Sequence, residues 1–233
     1  MTREELKVLV KENIKDLPDV VFDDLEEFMD YTLEGNEKFN LTAIKDKDVF
    51  RELMIYDSLL PIKYFDFENK KVLDVGTGAG YPGVPLLLST KGNFTLLDST
   101  NKKIDHINNY LSTKNKNNGF AQCFRAENYV KEHREEYDFA IARALASLSI
   151  LVELCIPALK VGGYLLAMKS IKVEEEINQA HNAIKKLDCE VVGQYEDYLP
   201  LSNERRILLV IRKNKPSKKI YPRDYSIIKS QPL

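Results

Sequence analysis

The sequence predicts an α/β fold: a Rossmann-like, doubly wound and mostly parallel sheet of seven strands with an N-terminal helical extension. Three observations point there. An apolar run, Lys71 to Val75, meets alternate glycines at Gly76, Gly78 and Gly80 and then a leucine-rich stretch, which reads as buried strand, tight turn and helix. Downstream, strand-like runs alternate with stretches of helical period, the pattern of parallel strands joined by crossover helices. The last two strand-like runs have no helix between them, and their connector is too short for a crossover, so they should pair antiparallel.

Residues 1–66 precede the first of these strands. Leu6, Leu9 and Val10 recur at helical spacing, as do Val21, Leu25, Phe28, Met29 and Thr32, with Pro18 and Asp19 as punctuation. The segment Asn36–Ile44, NEKFNLTAI, has no clear period, and Asp46–Phe65 looks helical with a break at Pro61. Strands are expected over 71–75, 93–98, 120–124, 137–142, 163–169, 189–196 and 206–212. Helical stretches carry Ile104, Ile107 and Leu111, and further on Ile177, Ala180, His181, Ile184 and Leu187. The expected division is a helical extension over 1–66, a cofactor-binding domain over 67–213 and a basic tail over 214–233.

Composition excludes several classes. A hydrophobic share of 44% and a charged share of 30% suit a soluble chain, and no apolar run approaches the roughly 18 residues of a membrane span. The charged start MTREELKVLV is unlike a signal peptide, so a cytoplasmic protein is expected. Cys123, Cys155 and Cys189 are odd in number and far apart, which suggests neither disulfides nor a zinc site; they read as small buried apolar residues, and no metal is expected. The net charge of −2 hides an asymmetry: Arg212–Leu233 carries +6, leaving −8 on the remainder. A basic tail on an acidic body fits a nucleic-acid contact, and it also fits a merely solubilising tail.

The glycine run narrows the cofactor. Dinucleotide folds use G-x-G-x-x-G. Here the third glycine follows the second by two, and Asp74 stands two before the first, the pattern of class I S-adenosylmethionine methyltransferases. In that pattern the turn cradles the amino-acid end of the cofactor; the plain alternative is an ordinary strand-to-helix turn. Glycine suits such a bend because it takes positive φ and lets a ligand approach the backbone.

Other contacts should fall at the carboxyl ends of the strands. Asp98 ends the second strand, eighteen residues after Gly80, where a carboxylate can accept from ribose hydroxyls or cap the next helix. After the third strand come Arg125, Ala126 and Glu127: a small residue suited to an adenine edge, and an acid that either binds or caps. Arg143 ends the fourth strand and needs a partner, either a cofactor carboxylate or substrate phosphate, or a salt bridge to Asp74 or Glu127. Lys169 ends the fifth, as an RNA contact or a solvated strand end.

Absences speak to the acceptor atom. No cysteine follows a proline, as methylation of a pyrimidine carbon would ask, and ARAL stands where an amine-methylating enzyme would carry a proline-aromatic clamp. His106, His133 and His181 lie on presumed helices or their flanks, away from the strand ends. No catalytic base is expected, and a ring nitrogen such as guanine N7, which loses no proton on attack, needs none.

Longer runs resemble one family. NEKFNLTAI at 36–44, YDSLL at 56–60, DVGTGAGYPGVPL at 74–86, LLDSTNKKIDHI at 96–107, RAE at 125–127 and ARALASL at 142–148 resemble the bacterial small-subunit rRNA guanine-N7 methyltransferases, RsmG or GidB. The resemblance implies S-adenosylmethionine as cofactor, small-subunit (16S) ribosomal RNA as partner, and cofactor positions at Gly76, Tyr81, Ala126, Glu127 and Arg143. The chain departs from the family at Gly35, commonly tryptophan, at Tyr56, commonly histidine, and after Tyr221-Pro222-Arg223, where DYSIIKSQPL replaces a basic, glycine-containing end. A small-molecule methyltransferase and a silent RNA-binding module that keeps the fold are the competing readings.

Overall fold

The computed structural model describes residues 1–114, 116–170 and 173–233. Helix α1 (Arg3–Asn13) starts from a capping box in which Thr2 and Glu5 each satisfy the other's backbone amide. Helix α2 (Asp19–Phe39) ends at Asn40, whose left-handed backbone (φ 51°) stops the helix. Helix α3 (Lys47–Phe50) runs through a π-helical turn, Arg51–Tyr56, into α4 (Asp57–Leu59) and a 3-10 turn, Leu60–Lys63, at the expected Pro61 break.

The remaining elements alternate: β1 (Lys71–Val75), α5 (Gly83–Ser89), β2 (Asn93–Asp98), α6 (Asn101–Thr113), β3 (Gly119–Cys123), α7 (Ala126–Glu132), β4 (Tyr137–Arg143), α8 (Leu148–Cys155) and β5 (Leu159–Lys169). After them come α9 (Val173–Gln179), α10 (His181–Lys186), β6 (Cys189–Tyr198), β7 (Arg205–Lys213) and α11 (Tyr225–Ser230). The seven strands form one sheet in the order β3-β2-β1-β4-β5-β7-β6. β7 runs antiparallel between β5 and β6, as the short connector requires, and the other pairings are parallel.

Most strands end or begin within a residue or two of expectation, and two of the differences are informative. β3 begins one residue early, at Gly119, where a Cβ would sit 2.1 Å from a Leu87 methyl carbon; glycine there lets α5 pack on the strand. β5 begins four residues early. Leu159 still pairs with Tyr137, and the chain bulges before pairing resumes at Tyr164 with Phe139, so Gly162-Gly163 marks a bulge and not the strand's start.

Alternating strand residues feed two apolar clusters, one on each face. Val72, Phe94, Leu96, Ile141 and Leu166 join Phe22, Leu25, Phe28, Met29 and Phe50 of the extension in one cluster. Leu73, Leu97, Ala140, Leu165 and Leu209 join α8, α10 and Ile228 of α11 in the other. Among the described residues no helix is long and apolar enough to cross a membrane. Cys155 and Cys189 are buried, their thiols pushed up to about 12 by burial, whereas Cys123 is exposed, against the expectation of three buried thiols.

Candidate active site

The glycine turn is built by backbone bonds that leave its middle open. The amides of Gly76 and Thr77 both donate to the Leu97 carbonyl at 2.8 Å, which ties the turn to β2. Gly76, Gly78 and Gly80 all have positive φ (78°, 60° and 100°). A Cβ on Gly80 would lie 2.9 Å from the Phe28 ring, whereas one on Gly78 would have nothing within 4 Å. The turn therefore backs onto the core at Gly80 and faces open space at Gly78.

Two carboxylates hold this bend. Asp74 is fully buried, and its Oδ2 accepts from the Gly83 amide at 2.9 Å. Burial pushes its carboxyl up to about 7, with the Gly83 amide and the Arg143 charge pulling the other way. Gly83 has no alternative, since a Cβ there would lie 2.5 Å from Asp74 Oδ2 and 2.1 Å from Leu96. Asp98 accepts from the Gly78 amide (3.1 Å) and from the Thr100 amide (2.8 Å), so it links the turn to the entry of α6. Each oxygen keeps a further lone pair for a ligand.

The side chain of Leu145 lies over Gly76 and separates two cavities that share both residues. The smaller, about 490 Å³, is lined by Asp98, Phe124, Arg125, Ala126, Glu127 and Tyr225 among others. Glu127 is buried and accepts from Arg125 Nε at 3.1 Å. The larger, about 1690 Å³, takes Gly78 and Tyr81 from the turn region, Arg143 and Lys169 from strand ends, Thr42 and Asp57 from the extension, and Arg206 from β7.

Arg143 has neither of the expected carboxylate partners. Its Nη1 donates to Asp57 Oδ2 (3.2 Å) and the Leu53 carbonyl (3.1 Å), because the extension folds over the strand end and places its own acid there. Arg206 Nε approaches the same Asp57 oxygen at 3.2 Å, so one buried carboxylate serves two guanidinium groups. Lys169 is not a solvated strand end: it donates to Glu176 (2.7 Å) and to the Ala146 carbonyl (2.9 Å). Tyr81 is buried between Phe28 and Phe50, with ring centroids 5.2 and 5.4 Å away, and its hydroxyl lies 3.4 Å from that of Thr32. Asn36 of the NEKFNLTAI run accepts from the Thr42 amide at 2.9 Å and fixes the loop that walls the larger cavity.

All eight sequence-predicted positions thus gather around the two cavities or in the turn that separates core from cleft. Asp57, Arg206 and Tyr225 also line the cavities, at positions the sequence pattern does not single out. Asp57 lies in the YDSLL run, its one signal; nothing local marks the other two. The histidines lie elsewhere: His106 stacks on Tyr31, His133 on Tyr129, and His181 begins α10. Among the described residues no cluster of metal-ligating side chains occurs.

The model of the GidB family, rRNA small subunit methyltransferase G, matches residues 22–205. The chain belongs to this family. The ribosomal RNA small subunit methyltransferase G of Alkaliphilus oremlandii is 41% identical over 98% of this chain and 99% of its own length. That of Halalkalibacterium halodurans is 37% identical over 98% of each. Solved structures share the fold: TYW2 of M. jannaschii in complex with AdoMet has a TM-score of 0.54 at 14% identity, covering 64% of this chain and 72% of that one. The ribosomal protein L11 methylase of Lactobacillus delbrueckii has a TM-score of 0.52 at 15% identity over 69% and 78%. The glycine turn and the strand-borne walls of both cavities, except Arg206 of β7, lie within the span that the rRNA small subunit methyltransferase G model matches.

Proposed function

We propose that this chain transfers a methyl group from S-adenosylmethionine to N7 of a guanine in small-subunit ribosomal RNA, acting in the cytoplasm on the small ribosomal subunit. One observation supports it above the rest: the glycine turn opens at Gly78, without a side chain, into the larger cavity, which carries Arg143, Lys169 and Arg206, while its neighbour Gly76 lines both cavities. The fit of the cofactor rests on the same feature, since a Cβ at Gly78 would fill the space a ligand needs. Gly76, Gly78, Tyr81 and Arg143 would hold its amino-acid end, with Gly80 shaping the bend from the core side, and Asp98, Ala126 and Glu127 would hold its adenosine end. When bound, S-adenosylmethionine supplies an electrophilic methyl group on a sulfonium.

The chain's own contribution is positioning. Guanine N7 attacks with a free lone pair and releases no proton, so no residue need act as base. The acids lining the larger cavity suit that chemistry. Asp57 is held by Arg143 and Arg206, Glu176 by Lys169, and Glu204 lies 3.0 Å from Arg206. Each is occupied by a cation. The same cations would meet the phosphates of an RNA backbone entering the larger cavity, and binding should then weaken steeply with salt.

The test is transfer of labelled methyl to purified small subunits that lack base modification, followed by mapping of the nucleotide. Label on N7 of one guanine is expected; label on a carbon or an exocyclic amine would overturn the acceptor assignment. Gly78→Val should abolish calorimetric binding of S-adenosylhomocysteine while the fold persists, since positive φ costs a non-glycine residue only about 1–2 kcal/mol. Undiminished binding by that variant would remove the site from the turn.

A further inference from the structure

The end of the chain does not hang free of the site. Arg223 is clamped to Glu153 of α8, whose side chain is wholly buried: its backbone amide and Nε reach Oε1 at 3.0 and 2.8 Å, and Nη2 reaches Oε2 at 2.6 Å. Arg134 donates to the carbonyls of Ser217 (2.9 Å) and Lys218 (3.1 Å), Lys131 pairs with Asp224 (2.7 Å), and Ile228 is fully buried. These anchors set α11 against the smaller cavity, which Tyr225 lines together with Ala126 and Glu127. The Arg125 guanidinium lies over the Tyr225 ring, 4.2 Å from its centroid, while Arg125 Nε is held by Glu127. The guanidinium and the phenol ring thus together line the same cavity as Asp98 and Ala126.

We propose that Tyr225, with Arg125 lying over its ring, is an adenosine-side wall of the cofactor site, so that seating of the C-terminal segment and cofactor binding reinforce each other. The inference rests on the cofactor reading above and adds a residue from outside the strand ends. An aromatic ring is the right material, since adenine is flat and aromatic–aromatic contact contributes beyond plain area burial. Reciprocity follows from linkage: if the seated segment raises affinity, then occupancy raises the seated fraction by the same factor.

Calorimetry with S-adenosylhomocysteine on the full-length chain reads one side of this linkage, and limited trypsin digestion reads the other. Tyr225→Ala should weaken binding about tenfold, Tyr225→Phe less than twofold, and Arg125→Ala severalfold. In the wild type, saturating S-adenosylhomocysteine should slow cleavage after Lys219 and Arg223 severalfold; in Gly78→Val it should change nothing. Affinity within twofold of wild type in Tyr225→Ala, or equal cleavage of the wild type with and without ligand, would overturn the proposal. A wild type that binds no S-adenosylhomocysteine would bring down the cofactor reading as well, a result distinct from binding that ignores Tyr225.

Discussion

The two ends of the chain flank the same cleft and are fastened to it by different physics. The N-terminal extension is seated by apolar burial: Phe22, Leu25, Phe28, Met29 and Phe50 are at most 1% exposed, and Phe28 packs on both Tyr81 and Tyr110. From that base it delivers Thr42, Met54 and Asp57 to the larger cavity. The C-terminal segment is seated mainly by ions and carbonyls, with Arg223 on Glu153, Arg134 on three carbonyls and Lys131 on Asp224, and it delivers Tyr225 to the smaller cavity. Burial is non-directional and scales with area, whereas the ionic attachment depends on a few directed contacts, of which the exposed Lys131–Asp224 pair is open to salt. One wall of the cleft is therefore held almost wholly by apolar burial, and the other by ion pairs and carbonyls with Ile228 as its buried apolar contact.

The largest effect that tests this contrast is Phe28→Ala. It should cost about 3–5 kcal/mol in urea unfolding, as deletion of a buried aromatic does, and lower the whole transition rather than one segment. A loss under 1 kcal/mol would mean the extension is not continuous with the core. Glu153→Ala removes a carboxylate with charge-assisted bonds worth about 2 kcal/mol. Its outcome should be local: trypsin cuts after Arg223 at least tenfold faster while cleavage within α2 is unchanged. Raising salt to 1 M should act in the same direction on the tail by a smaller factor, because the rim pair Lys131–Asp224 is exposed and screened.

The third test separates the ends by pH. His106 stacks on Tyr31 where α6 meets α2, with ring centroids 4.3 Å apart. Burial lowers its pKa from 6.5 to about 4. The unfolded chain therefore binds the proton more readily, and stability is lost as pH falls from about 6.5 towards 4. Between pH 7 and 5 the loss is about 2 kcal/mol. His106→Phe, which keeps the ring, should remove most of it, measured as the difference between urea midpoints at the two pH values. An unaltered difference would place the acid sensitivity elsewhere. Asp74, raised to about 7, works in the opposite sense: its contribution is present at low pH and fades as pH rises from about 4 to 7. Asp74→Asn, which keeps an acceptor for the Gly83 amide, should flatten that second slope.

Much of the fold was legible because its signals are local. The apolar run, the glycines at 76, 78 and 80 and the proline in the first turn of α5 each restrict backbone conformation within a few residues, and β1 and β2 fall on the residues expected. β5 was read short because a glycine pair in a bulge looks the same as one at a strand end. The basic tail shows the opposite limit. Its charge was countable, but Lys213 is wholly buried against Glu135 and the Leu159 carbonyl, and Arg212, Lys215 and Arg223 also have acidic partners.

By itself, then, the order of residues determined the sheet, its one reversed strand, the glycine bend and the strand ends around it. Period and turn chemistry act between near neighbours, which is why they can be read in one dimension. Only the tertiary structure decided that Asp57 serves both Arg143 and Arg206, and that Tyr225 and Ala126 line one cavity. Those partners are dozens of residues apart or more, and a buried charge takes whichever counter-charge the packing brings within reach.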